Sequence, residues 1–247
     1  MIIEATFNGA RYKIDLSKPM DISIELRAGR ENPNCYYAQP PAFETIVMGD
    51  FVGSVERGGP VNYQQITLTP HGNGTHTEVY GHISTDKATI ASQITSIHEF
   101  AEVISIPPSQ HGEDQVLSFD EFMKRRTSTS AAVVIRTLPN DDAKKTRHYS
   151  GTNPPYLDHR IAEQLRKEGV QHLLIDLPSV DKEVDGGQLA AHRAFWDNET
   201  RKNATITELI FVPDSISDGL YFLNLQLINL ASDACPSRPV LFEIIKQ

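Results

Sequence analysis

Cysteine is scarce in this sequence, and long apolar runs are missing from it. The chain has 247 residues and 2 cysteines, Cys35 and Cys235. No basic start, apolar stretch and small-residue cleavage site opens the chain, so no signal peptide is predicted and free thiols are favoured over a disulfide. The Asn-x-Thr triplets at Asn73, Asn198 and Asn203 are therefore interpreted as chance matches. No apolar run approaches the length needed to span a bilayer, so we expect a cytoplasmic protein without a membrane partner.

Positive charge is also in short supply. Lys and Arg total 23 against 32 Asp and Glu, which gives a net charge of −9 and a pI near 5.5. Such a chain repels nucleic-acid phosphates, so no nucleic-acid partner is expected. A hydrophobic content of 39% with 22% charged residues is typical of a globular protein. Because no repeat, heptad or low-complexity segment appears, a single domain over residues 1–247 is predicted.

The N-terminal part has a clear hairpin followed by long loops. Strands are predicted at 2–7 and 10–14, because Asn8-Gly9 between them is a strong hairpin signal. Residues 27–62 are rich in Gly, Pro and Asn and favour loops with a short strand near 45–48. Tyr36, Tyr37 and Phe43 in this segment either fill the core or face a substrate.

The rest of the chain alternates between helix and strand signals. Ser118 has capping-box spacing to Glu121, so a helix is predicted to begin near Phe119. A second helix over about 157–165 ends before Gly169. Buried strands on both sides of it predict a right-handed βαβ unit and an α/β fold. Further strands are predicted at 65–68, 103–106, 131–137, 170–175, 221–229 and 239–245.

Side chains that can bind a metal or transfer a proton are most concentrated between His71 and His82. This stretch contains His71, His76 and His82, with Glu78 two places after the middle histidine, and three glycines that allow tight turns. Imidazoles and a carboxylate at such spacing can converge on one divalent cation. The alternative is a polar, glycine-rich surface loop whose histidines are solvated.

The run Gly74-Thr75-His76-x-Glu78-x-x-x-His82 resembles a known signature, H-x-G-T-H-x-D-x-P-x-H. That signature belongs to the metal-dependent hydrolases of the cyclase, or kynurenine formamidase, family, which also includes isatin hydrolases. Three departures are visible. The family's first histidine falls on Gly72, with His71 one place earlier; Glu78 replaces the aspartate; and Tyr80 replaces the proline.

Further segments extend the resemblance over most of the chain. Asp15-Leu16-Ser17 is similar to the opening segment of the family, and 176–181 is similar to its D-x-P-S-x-D turn. Ala191-His192-Arg193 resembles the segment with the family's helical histidine. Residues 205–209 resemble the segment with its last glutamate, Glu208, although the gap between the two segments is longer than usual.

The resemblance implies a site as well as a fold. The fold is a mixed, partly barrel-like β-sheet core flanked by helices. The metal ligands are His76, Glu78, His192 and Glu208, joined by His71 if a one-residue bulge brings it to the cation. His82 is the general base and acid beside one or two ions of zinc or manganese.

The resemblance also implies a hydrolase of carbon–nitrogen bonds other than peptide bonds. The substrate is a small amide, formamide or cyclic amide, and the assembly is a homodimer or a larger homo-oligomer. Two alternatives remain open: a catalytically silent ligand-binding protein of the same fold, and a non-hydrolytic metal-dependent lyase or isomerase. A serine hydrolase is disfavoured because no G-x-S-x-G elbow is present.

Overall fold

The computed structural model describes residues 1–197 and 201–247, so the triplet at Asn198 lies outside the described residues. The strands, in chain order, are β1 (Ile2–Phe7), β2 (Ala10–Asp15), β3 (Met20–Asp21), β4 (Ala42–Thr45), β5 (Val47–Met48), β6 (Phe51–Val52), β7 (Gln64–Thr67), β8 (His76–Glu78), β9 (His98–Ile106), β10 (Ser109–His111), β11 (Asp114–Leu117), β12 (Ala132–Thr137), β13 (Tyr156–Leu157), β14 (His172–Ile175), β15 (Thr205–Glu208), β16 (Gly219–Leu227), β17 (Ala234–Phe242) and β18 (Ile244–Lys246). The α-helices are α1 (Pro70–Asn73), α2 (Ile90–Gln93), α3 (Phe119–Arg125), α4 (His159–Lys167) and α5 (Ala190–Trp196), and 3-10 turns cover Tyr80–Ile83 and Asp142–Lys145.

A closed barrel of seven strands forms the centre of the fold. Neighbouring strands pair in the order β16, β9, β12, β14, β15, β8 and β17, and β17 pairs back with β16 to close the ring. The pairs among β9, β12, β14 and β15 are parallel, whereas the others are antiparallel. The expected mixed, partly barrel-like α/β fold is therefore confirmed, and the barrel is complete.

Alternation along the strands separates two apolar layers. On β12, Ala132 and Val134 pack with residues of β9, β14, β16 and β17 across the barrel. Val133 and Ile135 point the other way, against a layer that includes Phe122 of α3 and Leu165 of α4. Helices α3, α4 and α5 thus cover one outer face of the barrel.

The two ends of the chain lie in one small sheet. Strands β1, β2 and β18 pair in the order β1, β2, β18. Their apolar side chains pack on Phe100, Phe222 and Phe242 at another outer face of the barrel. The Asn8-Gly9 hairpin forms as predicted, with positive φ at both residues.

Several boundaries differ from the sequence expectations. The strand expected at 45–48 is broken at Ile46 into β4 and β5, because Ile46 pairs instead with Tyr63 and Gly53. The expected strand at 239–245 is two strands, β17 and β18, separated at Glu243. Helix α4 begins at His159, because Asp158 caps it with its side chain and residue 157 belongs to β13.

The two cysteines are free thiols, as the sequence favours. Cys35 and Cys235 are buried free thiols. Within the described ranges, no helix is both long and apolar enough to cross a bilayer.

Candidate metal centre

Strands β8 and β15 lie side by side in the barrel and carry three of the predicted ligands. His76 is the register partner of Glu208, and Glu78 is the partner of Ile206. Alternation places His76 and Glu78 on the same face of β8, while Thr77 between them bonds to Thr207 on the other face. His76 Nε2 lies 3.5 Å from Glu208 Oε2, and all three predicted ligands are buried.

Helix α5 brings His192 to the same place from outside the barrel. His192 Nε2 lies 3.0 Å from Glu78 Oε1 and 3.8 Å from Glu208 Oε1. Its other ring nitrogen, Nδ1, lies 2.6 Å from Asp181 Oδ2, and Asp181 also accepts the backbone N–H groups of Ala191 and His192. A carboxylate on the far nitrogen fixes the ring and directs Nε2 inward.

Helix α1 brings His71 to the cluster even though it is one place early. Its Nε2 lies 3.6 Å from Glu78 Oε2. A Cβ atom at Gly72 would lie 2.4 Å from the Ala38 Cβ and 3.2 Å from the Cys35 carbonyl oxygen, so position 72 has no room for a side chain. The imidazole at this corner of the cluster therefore comes from the preceding position, His71.

The 3-10 turn Tyr80–Ile83 places His82 over the cluster. His82 Nε2 lies 3.6 Å from Glu78 Oε2, and its ring stacks on the His71 ring with centroids 4.4 Å apart. A Cβ atom at Gly81 would lie 2.0 Å from the Ala88 carbonyl oxygen, so this close approach requires glycine. Asp233, from the loop before β17, lies 3.4 Å from His82 Nδ1.

The donor set fits a divalent cation. His71 Nε2, His76 Nε2 and Glu78 Oε2 are buried and have no hydrogen-bond partner in the described part of the chain. The ligand atoms of His76, Glu78 and Glu208 all lie within 4.8 Å of one another, as do those of Glu78, His82 and His192. Atoms that bind one cation at 2.0–2.2 Å are roughly 3 to 3.5 Å apart, which is close to the observed spacing.

Two buried carboxylates, Glu78 and Glu208, lie in the centre and interact with each other and with the histidines. Burial opposes ionisation of Glu78, but the charge of His82 and the hydrogen bond with His192 outweigh it and lower the pKa of Glu78 to about 2. Burial and the Glu78 charge raise the pKa of Glu208. A cation would relieve the repulsion between these carboxylates.

The pKa values of the site histidines are shifted in opposite directions by burial and by the neighbouring carboxylates. Burial disfavours the charged form of His192, yet hydrogen bonds to Asp181 and Glu78 raise its pKa to about 10. Burial also opposes charge on His76, but Glu208 and Glu78 raise its pKa. For His71, burial prevails and lowers the pKa to about 4, so its Nε2 is available as a neutral ligand.

A cavity of about 320 Å³ opens onto these groups. Its lining includes four of the site residues, His71, His82, His192 and Glu208, together with Tyr36. Tyr36 and Tyr37 are 47% and 75% exposed, so core filling is wrong for both tyrosines. This volume lies at the lower end of the range for small-molecule sites.

The structure thus brings together all six residues that the sequence singled out: His71, His76, Glu78, His82, His192 and Glu208. It also adds two carboxylates that the sequence reasoning did not assign to the site. Asp181 stood within the D-x-P-S-x-D segment, which offered a signal. Asp233 had none. The other histidines lie outside the cluster: His98, His111, His148, His159 and His172.

Comparison with known proteins points to one family. The family model described as Cyclase, putative cyclase, matches residues 14–182 of this chain. A kynurenine formamidase from Geobacillus thermodenitrificans is 32% identical over 188 residues, which cover 74% of this chain and 81% of that relative.

Solved structures share the fold at lower sequence identity. A predicted metal-dependent hydrolase from Bacillus stearothermophilus is 18% identical with a TM-score of 0.64, covering 91% of this chain and 98% of that one. An isatin hydrolase bound to the product analogue thioisatinate is 16% identical with a TM-score of 0.66, covering 93% of each chain.

Proposed function

Because this chain belongs to the cyclase family and resembles a kynurenine formamidase over most of its length, we propose that it is a metal-dependent hydrolase of carbon–nitrogen bonds other than peptide bonds. The family resemblance noted in the sequence is thereby confirmed. The observation that carries the proposal is the convergence of His76, Glu78, His192 and Glu208, with their ligand atoms directed at one another in a buried cluster.

These four residues, with His71, would hold one or two divalent cations. Imidazole nitrogens and carboxylate oxygens suit zinc and manganese alike. When bound, such a cation polarises a substrate carbonyl and lowers the pKa of a water molecule to about 7. The two oxygens of Glu78 face different histidines, with Oε1 towards His192 and Oε2 towards His71 and His82.

His82 would move the proton in this reaction. Its Nε2 faces Glu78 Oε2, and its side chain is 30% exposed at the cavity, where substrate and water can reach it. His82 takes a proton from the attacking water, the water oxygen bonds to the carbonyl carbon, and the carbon–nitrogen bond then breaks. The proton on His82 passes to the leaving nitrogen, which departs as an amine.

The cavity favours a small substrate. Its volume of about 320 Å³ accommodates an aryl formamide or a small cyclic amide. Tyr36 lines this cavity, and its phenol is protonated at neutral pH and can donate a hydrogen bond to the substrate. Burial of the hydroxyl end of this side chain and the Glu208 charge raise its pKa further.

Elemental analysis tests the metal requirement. The protein is stripped, reloaded with zinc or manganese, dialysed and measured for bound metal, in parallel with His76→Ala and with the exposed-histidine control His111→Ala. We expect metal in the wild type and in the control, and a loss of affinity of more than about 100-fold in His76→Ala. An absence of metal from all three would refute the proposal.

Turnover of an aryl formamide and of isatin in ¹⁸O-labelled water tests the reaction. A hydrolase incorporates one labelled oxygen into the acid product. A product without label would instead indicate a lyase or isomerase, and metal binding without any turnover would indicate a ligand-binding relative.

We also propose that the chain acts as one domain and as a homodimer or larger homo-oligomer. The pairing of β1 and β18 through β2 ties both ends into one sheet. Residues 42–67 expose apolar side chains that a second copy can cover; the exposed members are Val47, Met48, Val55, Val61, Tyr63 and Ile66. Light scattering would show a dimer that Met48→Lys weakens and that Ile2→Lys, at an exposed position elsewhere, does not.

The cytoplasm is the proposed compartment. Cys35 and Cys235 are buried as free thiols, which agrees with a reducing environment. Fractionation of the native host would test this assignment, which fails if the protein is found outside the cytoplasm.

A further inference from the structure

Asp233 lies against the centre but belongs to none of the segments that suggested it. Its Oδ2 lies 3.4 Å from His82 Nδ1, in hydrogen-bonding geometry, and 3.2 Å from His71 Nε2. Its Oδ1 accepts a hydrogen bond from the Ser232 hydroxyl. The carboxylate is therefore held in place beside two of the site histidines.

The backbone around Asp233 is fixed by the barrel. The next residue, Ala234, is the register partner of Glu78, and the Asp233 carbonyl accepts the N–H of Val79 at 2.9 Å. Asp233 thus faces the 3-10 turn that carries His82. Pairing between β8 and β17 sets the distance between the carboxylate and the imidazole.

From this geometry we propose that Asp233 is the positioning residue of His82. The carboxylate accepts a hydrogen bond from Nδ1–H, which selects one neutral tautomer and one ring orientation. Nε2 then keeps its lone pair and lies 3.6 Å from Glu78 Oε2, on the side of the ring that faces the cluster, where it can accept a proton from the reacting water. The inference rests on the proposed role of His82 as proton carrier.

Metal ligation is the alternative role, because the ligand atoms of Asp233, His71 and His82 lie within 4.8 Å of one another. The two ring nitrogens of His82 favour the positioning role. Asp233 approaches the nitrogen that points away from Glu78, and that contact has the geometry of a hydrogen bond. The contact between Asp233 and His71 Nε2 does not have hydrogen-bond geometry, since His71 Nε2 has no hydrogen-bond partner among the residues described. A ligand role for Asp233 would make the metal content depend on it, whereas a positioning role would not.

Steady-state kinetics and metal analysis on the loaded enzyme separate these roles. We expect Asp233→Ala to lower kcat by about 10- to 100-fold, with KM and bound metal unchanged. Asp233→Asn keeps an acceptor oxygen and should recover part of the rate. Asp120→Ala, at an exposed carboxylate of α3, serves as the matched control. An unchanged kcat, or a fall in bound metal parallel to the fall in kcat, would overturn the proposal.

Imidazole ¹⁵N spectra of the metal-free protein provide a readout independent of activity. The His82 signals are assigned by their loss in His82→Gln. In the wild type we expect the neutral ring to carry its proton on Nδ1, and in Asp233→Ala a mixture or the opposite tautomer. An Nε2–H tautomer in the wild type would contradict the positioning role. This result stands even if no substrate is turned over, so failure of the proposed hydrolase and failure of the positioning role are distinguishable.

Discussion

At the scale of single residues, the missing side chain of residue 72 determines where the first histidine of the centre lies. The tight contact with Ala38 leaves room only for a hydrogen atom there, and His71 reaches the space instead. The sequence suggested this possibility but could not decide it, because Ala38 is distant from Gly72 in the chain. The position of the His71 side chain depends on tertiary packing.

Gly72→Ala should therefore destabilise the fold. The added Cβ would lie 2.4 Å from the Ala38 Cβ, so backbone must shift, at a cost of about 1 to 3 kcal/mol in the free energy of unfolding. Urea unfolding of the metal-free protein measures this loss of stability. Adding Ala38→Gly to the Gly72→Ala variant should restore part of the lost stability. Equal stabilities of the wild type and Gly72→Ala would show that the packing at residue 72 is looser than a 2.4 Å contact implies.

His192 should make metal binding depend on pH. Hydrogen bonds to Asp181 and Glu78 raise its pKa to about 10, so the metal-free protein holds a proton on this ring at neutral pH. A cation must displace that proton, so the affinity should rise with pH towards 10, by up to about tenfold per unit for each proton released. His71, with a pKa near 4, contributes no proton in this range.

Calorimetric titration at pH 6 to 8 in buffers with different ionisation enthalpies counts the protons that metal binding releases. Close to one proton or more is expected. A pH-independent affinity with no buffer effect would show that His192 is neutral before the metal binds.

At the scale of elements, the sequence predicted what depends on local pattern. The hairpin at Asn8-Gly9, the capped start of α3 at Ser118 and the fully buried strand β12 all follow from turn chemistry, capping and apolar runs. Elements that depend on distant partners were not predictable in detail. Strand β9 extends back to His98 because it pairs with β16, which is more than one hundred residues later.

A buried ion pair joins the 3-10 turn Asp142–Lys145 to the end of β14. Lys144 Nζ lies 2.8 Å from Asp176 Oδ2 and donates to the Thr137 carbonyl, and both charged side chains are buried. Lys144→Met leaves the Asp176 carboxylate without its cation, so the free energy of unfolding should fall by about 3 kcal/mol.

Lys145→Met is the matched control for this variant. Lys145 is 46% exposed and pairs with Asp142, so its loss should cost less than about 1 kcal/mol in urea unfolding. Similar losses in both variants would mean that the buried pair contributes no more than a surface one.

At the scale of the whole molecule, the centre joins parts of the chain that are far apart in sequence. Its residues come from α1, β8, the 3-10 turn after it, α5 and β15, with Asp233 in front of β17. A resemblance to a family could identify most of these residues, but composition and periodicity could not. Asp233 carries no sequence signal because only the pairing of β17 with β8 brings it to His82.

A cation that bridges these elements should stabilise the entire fold. At a free metal concentration of 100 times Kd, binding adds about 2.7 kcal/mol, which raises Tm by about 5 to 10 °C for a chain of this size. Thermal scans with added metal and with a chelator measure the difference. The Tm of His111→Ala should rise with metal like that of the wild type, and the Tm of His76→Ala should not. A wild-type Tm that does not change with added metal would contradict a structural link between the centre and the barrel.

The pairing of β8 with both β15 and β17 also orders events during biosynthesis. A ribosome that has released the chain as far as His82 has supplied three imidazoles, but Glu208 and the strand that completes the ring are still to be made. We therefore expect the complete metal site to form only after both of these strands have been made. The amount of ion retained by a purified sample would then report how many of its molecules reached the native topology.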